Sequence, residues 1–270
     1  MNLEVIKNVI KINYWKFISR NQNKMDKYFL QKYFYPANQL IFIFGCQRSG
    51  TTALCRLFGK SPFIQEFNED YELIFDKNCY IKSQNILEDE LNKVYAPFSV
   101  VKPIMHNHEI YDFYKKYKPK LFIWLYRNYN DVVNSMINGG DHLQSCIRLQ
   151  LPIHLKLLKK NDEKFKNIIL DDFKEFSPDY FLLYWLIENG IFIMFHNSIK
   201  NLKVISYDEL IANEKITISL FHDIHLPITK GITGYYKKVK SNKINYKYHK
   251  RLIELSDSIT KELDILYKKQ

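Results

Sequence analysis

The sequence predicts an α/β domain in three layers, with a central parallel sheet flanked by helices. Three observations carry that prediction. Short continuous apolar runs recur along the chain, each is followed by a segment of helical character, and the first leads into a glycine-spaced turn. A chain of 270 residues buries a sizeable core without disulfides or metal staples, so one domain with elaborations is expected over residues 1–270.

Residues 1–36 place Leu3, Ile6, Val9, Ile10, Tyr14 and Phe17 at helical spacing with lysines between them, ending before Pro36. This reads as a helical extension packed on the domain; peripheral membrane contact through residues 1–20 is the alternative. The core is expected over about residues 38–226. Within it, Leu40 to Phe44 is apolar throughout and bounded by a glycine turn, as befits a strand covered on both faces, and a helix should start at Thr51. Ser99 to Val101, Leu121 to Tyr126 and Leu202 to Ser206 repeat the pattern, giving at least four parallel strands.

Tyr180 to Phe195 is the most apolar stretch. It is broken by Glu188, Asn189 and Gly190, and falls short of the roughly 20 residues a bilayer requires, so it reads as a buried helix. Residues 227–247 hold Gly231, Gly234 and a lysine cluster with little periodicity, and form a basic loop. Residues 248–270 close the chain with a helix whose Leu252, Leu255, Ile259, Leu263 and Leu266 share one stripe.

Apolar residues make up 46% of the chain and charged residues 26%, which excludes disordered and fibrous classes. The net charge of +11 favours anionic partners, whether nucleotide, nucleic acid, sulfated or phosphorylated substrate, or lipid headgroup, although a solvated lysine-rich surface gives the same sum. Cys46, Cys55, Cys79 and Cys146 show neither a C-x-x-C pair nor metal-ligand spacing, and read as reduced thiols. Lys7, Lys11, Lys16 and Arg20 interrupt every N-terminal apolar run, so neither a signal peptide nor a spanning helix fits, and a cytoplasmic location is expected.

The segment that carries chemistry is Gly45-Cys-Gln-Arg-Ser-Gly-Thr-Thr52. Its G-x-x-x-x-G spacing, after a buried strand and before a helix, turns successive backbone N–H groups inward as an anion nest and adds the partial positive charge of the helix terminus. A phosphate-like group is expected there, in a domain of P-loop type. A nucleoside-triphosphate loop requires Lys and then Ser or Thr after its second glycine, to hold the β- and γ-phosphates and Mg²⁺. Here Thr51 stands in the lysine position, and the strand at Leu121 ends in Tyr126-Arg127 where a metal-holding Asp is wanted. Both departures weigh against Mg²⁺-dependent nucleotide chemistry.

Arg48-Ser-Gly-Thr-Thr52 resembles the 5′-phosphosulfate loop of sulfotransferases that use 3′-phosphoadenosine 5′-phosphosulfate (PAPS), in the R-S-G-T-T form of the carbohydrate and protein-tyrosine enzymes. The family's second signature, an arginine closing a strand and a serine eight residues on, looks like Arg127 and Ser135. Val100-Val-Lys-Pro103 is similar to its strand-ending lysine segment, and Val204 to Leu210 to its strand and Y-E-D-L-like turn; the likeness covers roughly residues 40–226. Cys46-Gln47 stands where the family commonly has a proline, and Asn128-Tyr129 replaces its usual D-P.

The resemblance implies PAPS as sulfuryl donor with adenosine 3′,5′-bisphosphate as product, no metal, no nucleic-acid partner, and a hydroxyl acceptor of the carbohydrate or glycoconjugate class. Gln47, Arg48, Ser49, Gly50, Thr51 and Thr52 would hold the phosphosulfate, with Arg48 also at the reacting end. Arg127 and Ser135 would hold the 3′-phosphate, Lys102 would neutralise charge on the bridging oxygen, and Lys238 in the late loop would close over the nucleotide.

The family's catalytic base, a glutamate beyond the first helix and a short turn, falls by register on Glu69, after Ser61-Pro62; Glu66 and Glu72 compete with it. Among the histidines, His106-x-His108 and His222-x-x-His225 have metal-like spacing but no further ligand pattern, and only His106 lies near the expected cleft. Lys237, Lys238, Lys240 and Lys243, interleaved with Tyr235, Tyr236 and Tyr246, also fit a nucleic-acid surface or a plain solvated loop. A P-loop kinase and a non-catalytic nucleic-acid or membrane-surface binder are therefore the competing readings.

Overall fold

A computed structural model describes residues 39–94, 96–226, 228, 232 and 246–269. The expected N-terminal extension and Lys238 lie outside the described residues, as does most of the basic loop. Strand β1 is Gln39–Gly45, β2 Ile64–Phe67, β3 Phe98–Val101, β4 Leu121–Tyr126 and β5 Leu202–Ser206. They form one sheet in the order β2-β3-β1-β4-β5 with every pairing parallel. The four apolar runs are therefore strands, and their composition has a direct cause. Phe42, Phe44, Phe122 and Trp124 enter a core on one face, while Ile41, Ile43, Ile123 and Leu125 enter a second core on the other.

Strand β2 went unforeseen. Its sequence, Ile-Gln-Glu-Phe, neither alternates nor runs apolar, because it lies at the sheet edge with only Ile64 and Phe67 buried. Pairing with β3, from Ile64 opposite Phe98 to Phe67 opposite Val101, makes it a strand.

The helices are α1 Thr51–Gly59, α2 Gln84–Asn92, α3 Ile110–Tyr117, α4 Tyr129–Ile137 and α5 Gly140–Asn161. After them come α6 Pro178–Phe195, α7 Tyr207–Ala212, α8 Glu214–Asp223 and α9 Lys250–Lys268. Helix α1 lays Leu54, Leu57 and Phe58 on the second core. Helix α6 is buried on all sides from Tyr180 to Phe192, as its uniform apolarity requires; Ser177 caps it and Pro178 opens it. Its Phe192 ring stacks on Trp124 of β4 at 4.5 Å. Helix α9 buries Leu252, Ile259 and Leu263 of the expected stripe and packs Leu255 and Leu266, partly buried, beside them. No helix among the described residues is long and apolar enough to cross a membrane.

The polar residues inside α6 act as ties. Asn189 accepts from the Trp124 indole at 3.2 Å and donates to the Trp185 carbonyl at 2.8 Å. Glu188, fully buried, is bonded by His154 of α5 and by the amide of Asn107. The same Asn107 amide donates to the carbonyl of Gly45 at 2.9 Å, and His154 meets Nδ1 of His108 at 2.8 Å. One proton between the two imidazoles satisfies both facing nitrogens. A second tie runs from Tyr184 to Gln150 at 2.6 Å and from Gln47 to Gln150 at 3.0 Å. The interior of α6 thus grips both Gly45 and Gln47, the underside of the turn that follows β1.

Burial, then the neighbouring His154, pushes the His108 imidazole well below the ordinary histidine range. The unfolded chain takes up that proton near pH 6.5 while the folded chain resists it, so stability is full above this pH and falls as pH drops. Between pH 6.5 and 5.5 the native protein should lose about 1 kcal/mol more than a His108→Gln variant in urea unfolding. Parallel losses in the two proteins would show that His108 is not held neutral.

Candidate active site

The turn from β1 to α1 is shaped by two close approaches. A Cβ on Gly45 would strike the Leu125 carbonyl, and one on Gly50 would strike the Tyr207 ring. Gly50 also has φ 94°, and Arg48, two residues before it, takes φ 67° in the same left-handed region. This alternation curls the backbone, with Ser49 N–H bonded to the Cys46 carbonyl at 3.1 Å. Helix α1 then begins with no side-chain cap and no acidic residue in its first turn. Gly50, Thr51, Thr52 and Ala53 line an open cleft of about 1100 Å³, so the free N–H groups and the positive end of the helix face a space sized for a ligand.

On one side of the turn stand Lys102 and Glu69. Lys102 follows β3 and is 1% exposed, and its ammonium is ion-paired with Glu69. Strand β2 is what delivers Glu69: the backbone N–H of Lys102 bonds the carbonyl of Phe67 at 3.0 Å, placing Glu69 two residues further on. The Thr52 hydroxyl donates to the other carboxylate oxygen at 2.9 Å. Burial pushes the Glu69 carboxyl up, but the charge and hydrogen bond of Lys102, helped by Thr52, outweigh it and hold the group below the ordinary carboxylate range. Glu69 is ionised at neutral pH.

On the other side, Arg48, Ser135 and Arg127 adjoin one another. Arg48 Nε donates to the Ser135 hydroxyl at 2.9 Å, and Arg127 reaches the Arg48 carbonyl at 3.5 Å. Arg127 closes β4, where the Trp185 indole holds its carbonyl at 3.1 Å. Its guanidinium lies 4.8 Å from the centroid of the Tyr207 ring, the same ring that presses on Gly50, and 3.6 Å from Asp131. One donor of a cleft-lining residue here has no partner, Nε of Arg127. An unmet guanidinium donor beside the uncapped start of α1 suits an anionic ligand.

The structure brings Gln47, Arg48, Gly50, Thr51, Thr52, Glu69, Lys102, Arg127 and Ser135 to this one cleft. Gln47, bonded to Gln150 and to the Met105 sulfur at 3.1 Å, braces the turn from within. Ser49 is fully buried behind it. The arrangement pairs an anion cradle with an ionised carboxylate at one end and two guanidinium groups at the other, which suits transfer of an anionic group to a nucleophile whose proton is removed.

The competing carboxylates fare differently. Glu66 lies against Gly59 at the C-terminal end of α1 and is absent from the cleft. Glu72 lines it, but Thr52 and Lys102 are bonded to Glu69 instead, and the Glu72 backbone carbonyl is taken by Lys82 at 2.7 Å. Both nitrogens of His106 are engaged: Nε2 accepts from Ile81 N–H at 3.0 Å and Nδ1 meets Glu109 at 2.5 Å, so it braces a loop outside the cleft. Sequence reasoning missed Asn107, His154 and Glu188, which anchor the turn. It read Cys79 and Cys146 only as reduced thiols and passed over His142; all three line the outer cleft wall, and the His142-x-x-x-Cys146 spacing on one helix was the available signal.

No family model and no curated protein sequence matches this chain. Among solved structures it is similar to the sulfotransferase STF9 from Mycobacterium avium, at 11% identity and a TM-score of 0.43, over 77% of this chain and 70% of that one.

Proposed function

We propose that this cleft transfers a sulfuryl group from PAPS to a hydroxyl of a carbohydrate or glycoconjugate, leaving adenosine 3′,5′-bisphosphate. The observation that carries the reading is the company kept by the uncapped start of α1: an ion-paired Lys102 and Glu69 on one side, Arg127, Arg48 and Ser135 on the other. The lysine position of a nucleoside-triphosphate loop is filled by Thr51, 2% exposed, and the cation comes instead from the end of β3.

PAPS, when bound, supplies an electrophilic sulfur and a bisphosphate leaving group. The chain's residues would do the rest by position and charge. The α1 N–H groups with Thr51 and Thr52 cradle the anion, and Arg127 with Ser135 holds the distal phosphate; Arg48, expected from sequence at the reacting end, joins them there because its Nε is bonded to Ser135. Glu69 accepts the acceptor's hydroxyl proton as that oxygen attacks. Lys102 ties up Glu69 at rest. By sharing its protons with a bound anion it loosens that hold, and the proton affinity of Glu69 rises when the donor site is filled.

Two measurements test this reading. Adenosine 3′,5′-bisphosphate should bind more tightly than AMP by about 1.5–3 kcal/mol per charge-assisted hydrogen bond to the 3′-phosphate, and Arg127→Ala should erase the difference. Equal calorimetric affinities in the native protein would remove Arg127 from this role.

Glu69→Gln keeps shape and hydrogen bonding but takes no proton. It should lower kcat by about 10²–10⁴ without weakening donor binding, while Glu66→Gln and Glu72→Gln stay within a few-fold. Hydrolysis of PAPS serves as the assay where an acceptor is lacking. A fully active Glu69→Gln enzyme with a hydroxyl acceptor would assign the base elsewhere.

A further inference from the structure

The outer wall of the cleft brings together three side chains that the proposed reaction does not use. Cys79, His142 and Cys146 place their Sγ, Nε2 and Sγ atoms within 4.8 Å of one another. Two segments far apart in sequence supply them. His142 and Cys146 are four residues apart on α5 and so share one face of that helix. Cys79 sits on the turn from Asp76 to Ile81 at φ 65°. The Asp76 carboxylate fixes this turn by accepting from the N–H groups of Asn78 at 2.8 Å and Tyr80 at 2.9 Å.

The spacing has a specific meaning. A tetrahedral zinc ion with Zn–S near 2.3 Å and Zn–N near 2.05 Å sets sulfur and nitrogen about 3.6 Å apart. His142 Nε2 lies 3.7 Å from Cys79 Sγ and 3.9 Å from Cys146 Sγ. Both separations need to close by only a few tenths of an ångström. We propose that Cys79, His142 and Cys146 bind one thiophilic metal ion, Zn²⁺, with a fourth position open to the cleft and filled by water.

The ligand set supports that choice. Two thiolates and an imidazole are soft to borderline donors that favour zinc over magnesium or calcium, and the two thiolate charges cancel that of the ion. Metal binding would displace the thiol protons as the metal–thiolate bonds form. All four described cysteines are free, and Cys79 and His142 are accessible, so an ion can enter. Binding would staple the Asp76–Ile81 turn to α5. None of this depends on the identity of the group transferred in the cleft.

The test uses the full chain, reduced, stripped of metal and shown to be folded by circular dichroism, with Co²⁺ as the probe. One equivalent should bring up the intense ligand-field bands of tetrahedral cobalt together with thiolate-to-cobalt charge transfer, both removed by added Zn²⁺. Cys79→Ser, Cys146→Ser and His142→Gln should each weaken binding at least tenfold. Cys55→Ala, which alters a thiol in the core beneath α1, should leave it unchanged. Zn²⁺ should raise the melting temperature of the native protein and not that of the Cys79→Ser/Cys146→Ser double variant. A reduced, folded protein that takes up no Co²⁺, or that gives only a weak octahedral spectrum, would overturn the proposal. So would unchanged affinity in the double variant, or a cysteine pair that forms a disulfide in air while its reduced form ignores the metal.

Discussion

Gly45 lies so close to the carbonyl of Leu125 that only a hydrogen fits on its α-carbon, and the site depends on that contact. It fixes where β1 ends against β4, and so where the chain turns, where α1 begins and which way its unbonded N–H groups point. The turn is strained at Arg48 and pressed by Tyr207 at Gly50, a conformation that persists only when its surroundings over-determine it. Those surroundings are the buried ties from α6: Glu188 through Asn107 to Gly45, and Tyr184 through Gln150 to Gln47. Removing one partner of a buried charged network costs about 3–5 kcal/mol, because the other is left uncompensated. The turn and the core are therefore one construction.

Charge is distributed with equal economy. The excess of +11 is spread over the sequence, yet the cations that matter are few and individually placed. Lys102 is buried and held by a carboxylate; Arg127 lies on an aromatic ring with part of its charge met by Asp131. A buried ammonium is costly without a partner, which is why Glu69 is paired with it at rest. The same pair links the two halves of the proposed chemistry, since whatever anion draws on Lys102 alters the basicity of Glu69.

Much of this was legible in the sequence because it is local. Strands covered on both faces must be apolar, so β1, β3, β4 and β5 read as runs; a glycine-spaced turn between strand and helix reads as an anion nest; and the stripe of α9 and the uniform apolarity of α6 follow from their packing. What could not be read was non-local. Strand β2 is a strand only because β3 lies beside it. Glu188 and Asn189 look like interruptions of an apolar helix, and their partners are 81 and 34 residues away for Glu188, and 65 for Asn189. Cys79 is 63 residues from His142, so their meeting shows in no spacing rule. The register placing the base at Glu69 came from family likeness, and the contacts with Thr52 and Lys102 give that residue a physical setting which Glu66 lacks.

The claim on which the rest hangs is that the turn after β1 receives a 3′,5′-bisphosphorylated nucleotide and not a metal-bound triphosphate. Thermal unfolding of the native chain in rising concentrations of adenosine 3′,5′-bisphosphate, of ATP with Mg²⁺, and of single-stranded RNA tests it most directly, because a true ligand stabilises by RT ln(1 + [L]/Kd). The account predicts a saturable rise in melting temperature with the bisphosphate and little with the other two. A rise with ATP and Mg²⁺, or with RNA, and none with the bisphosphate, would contradict it.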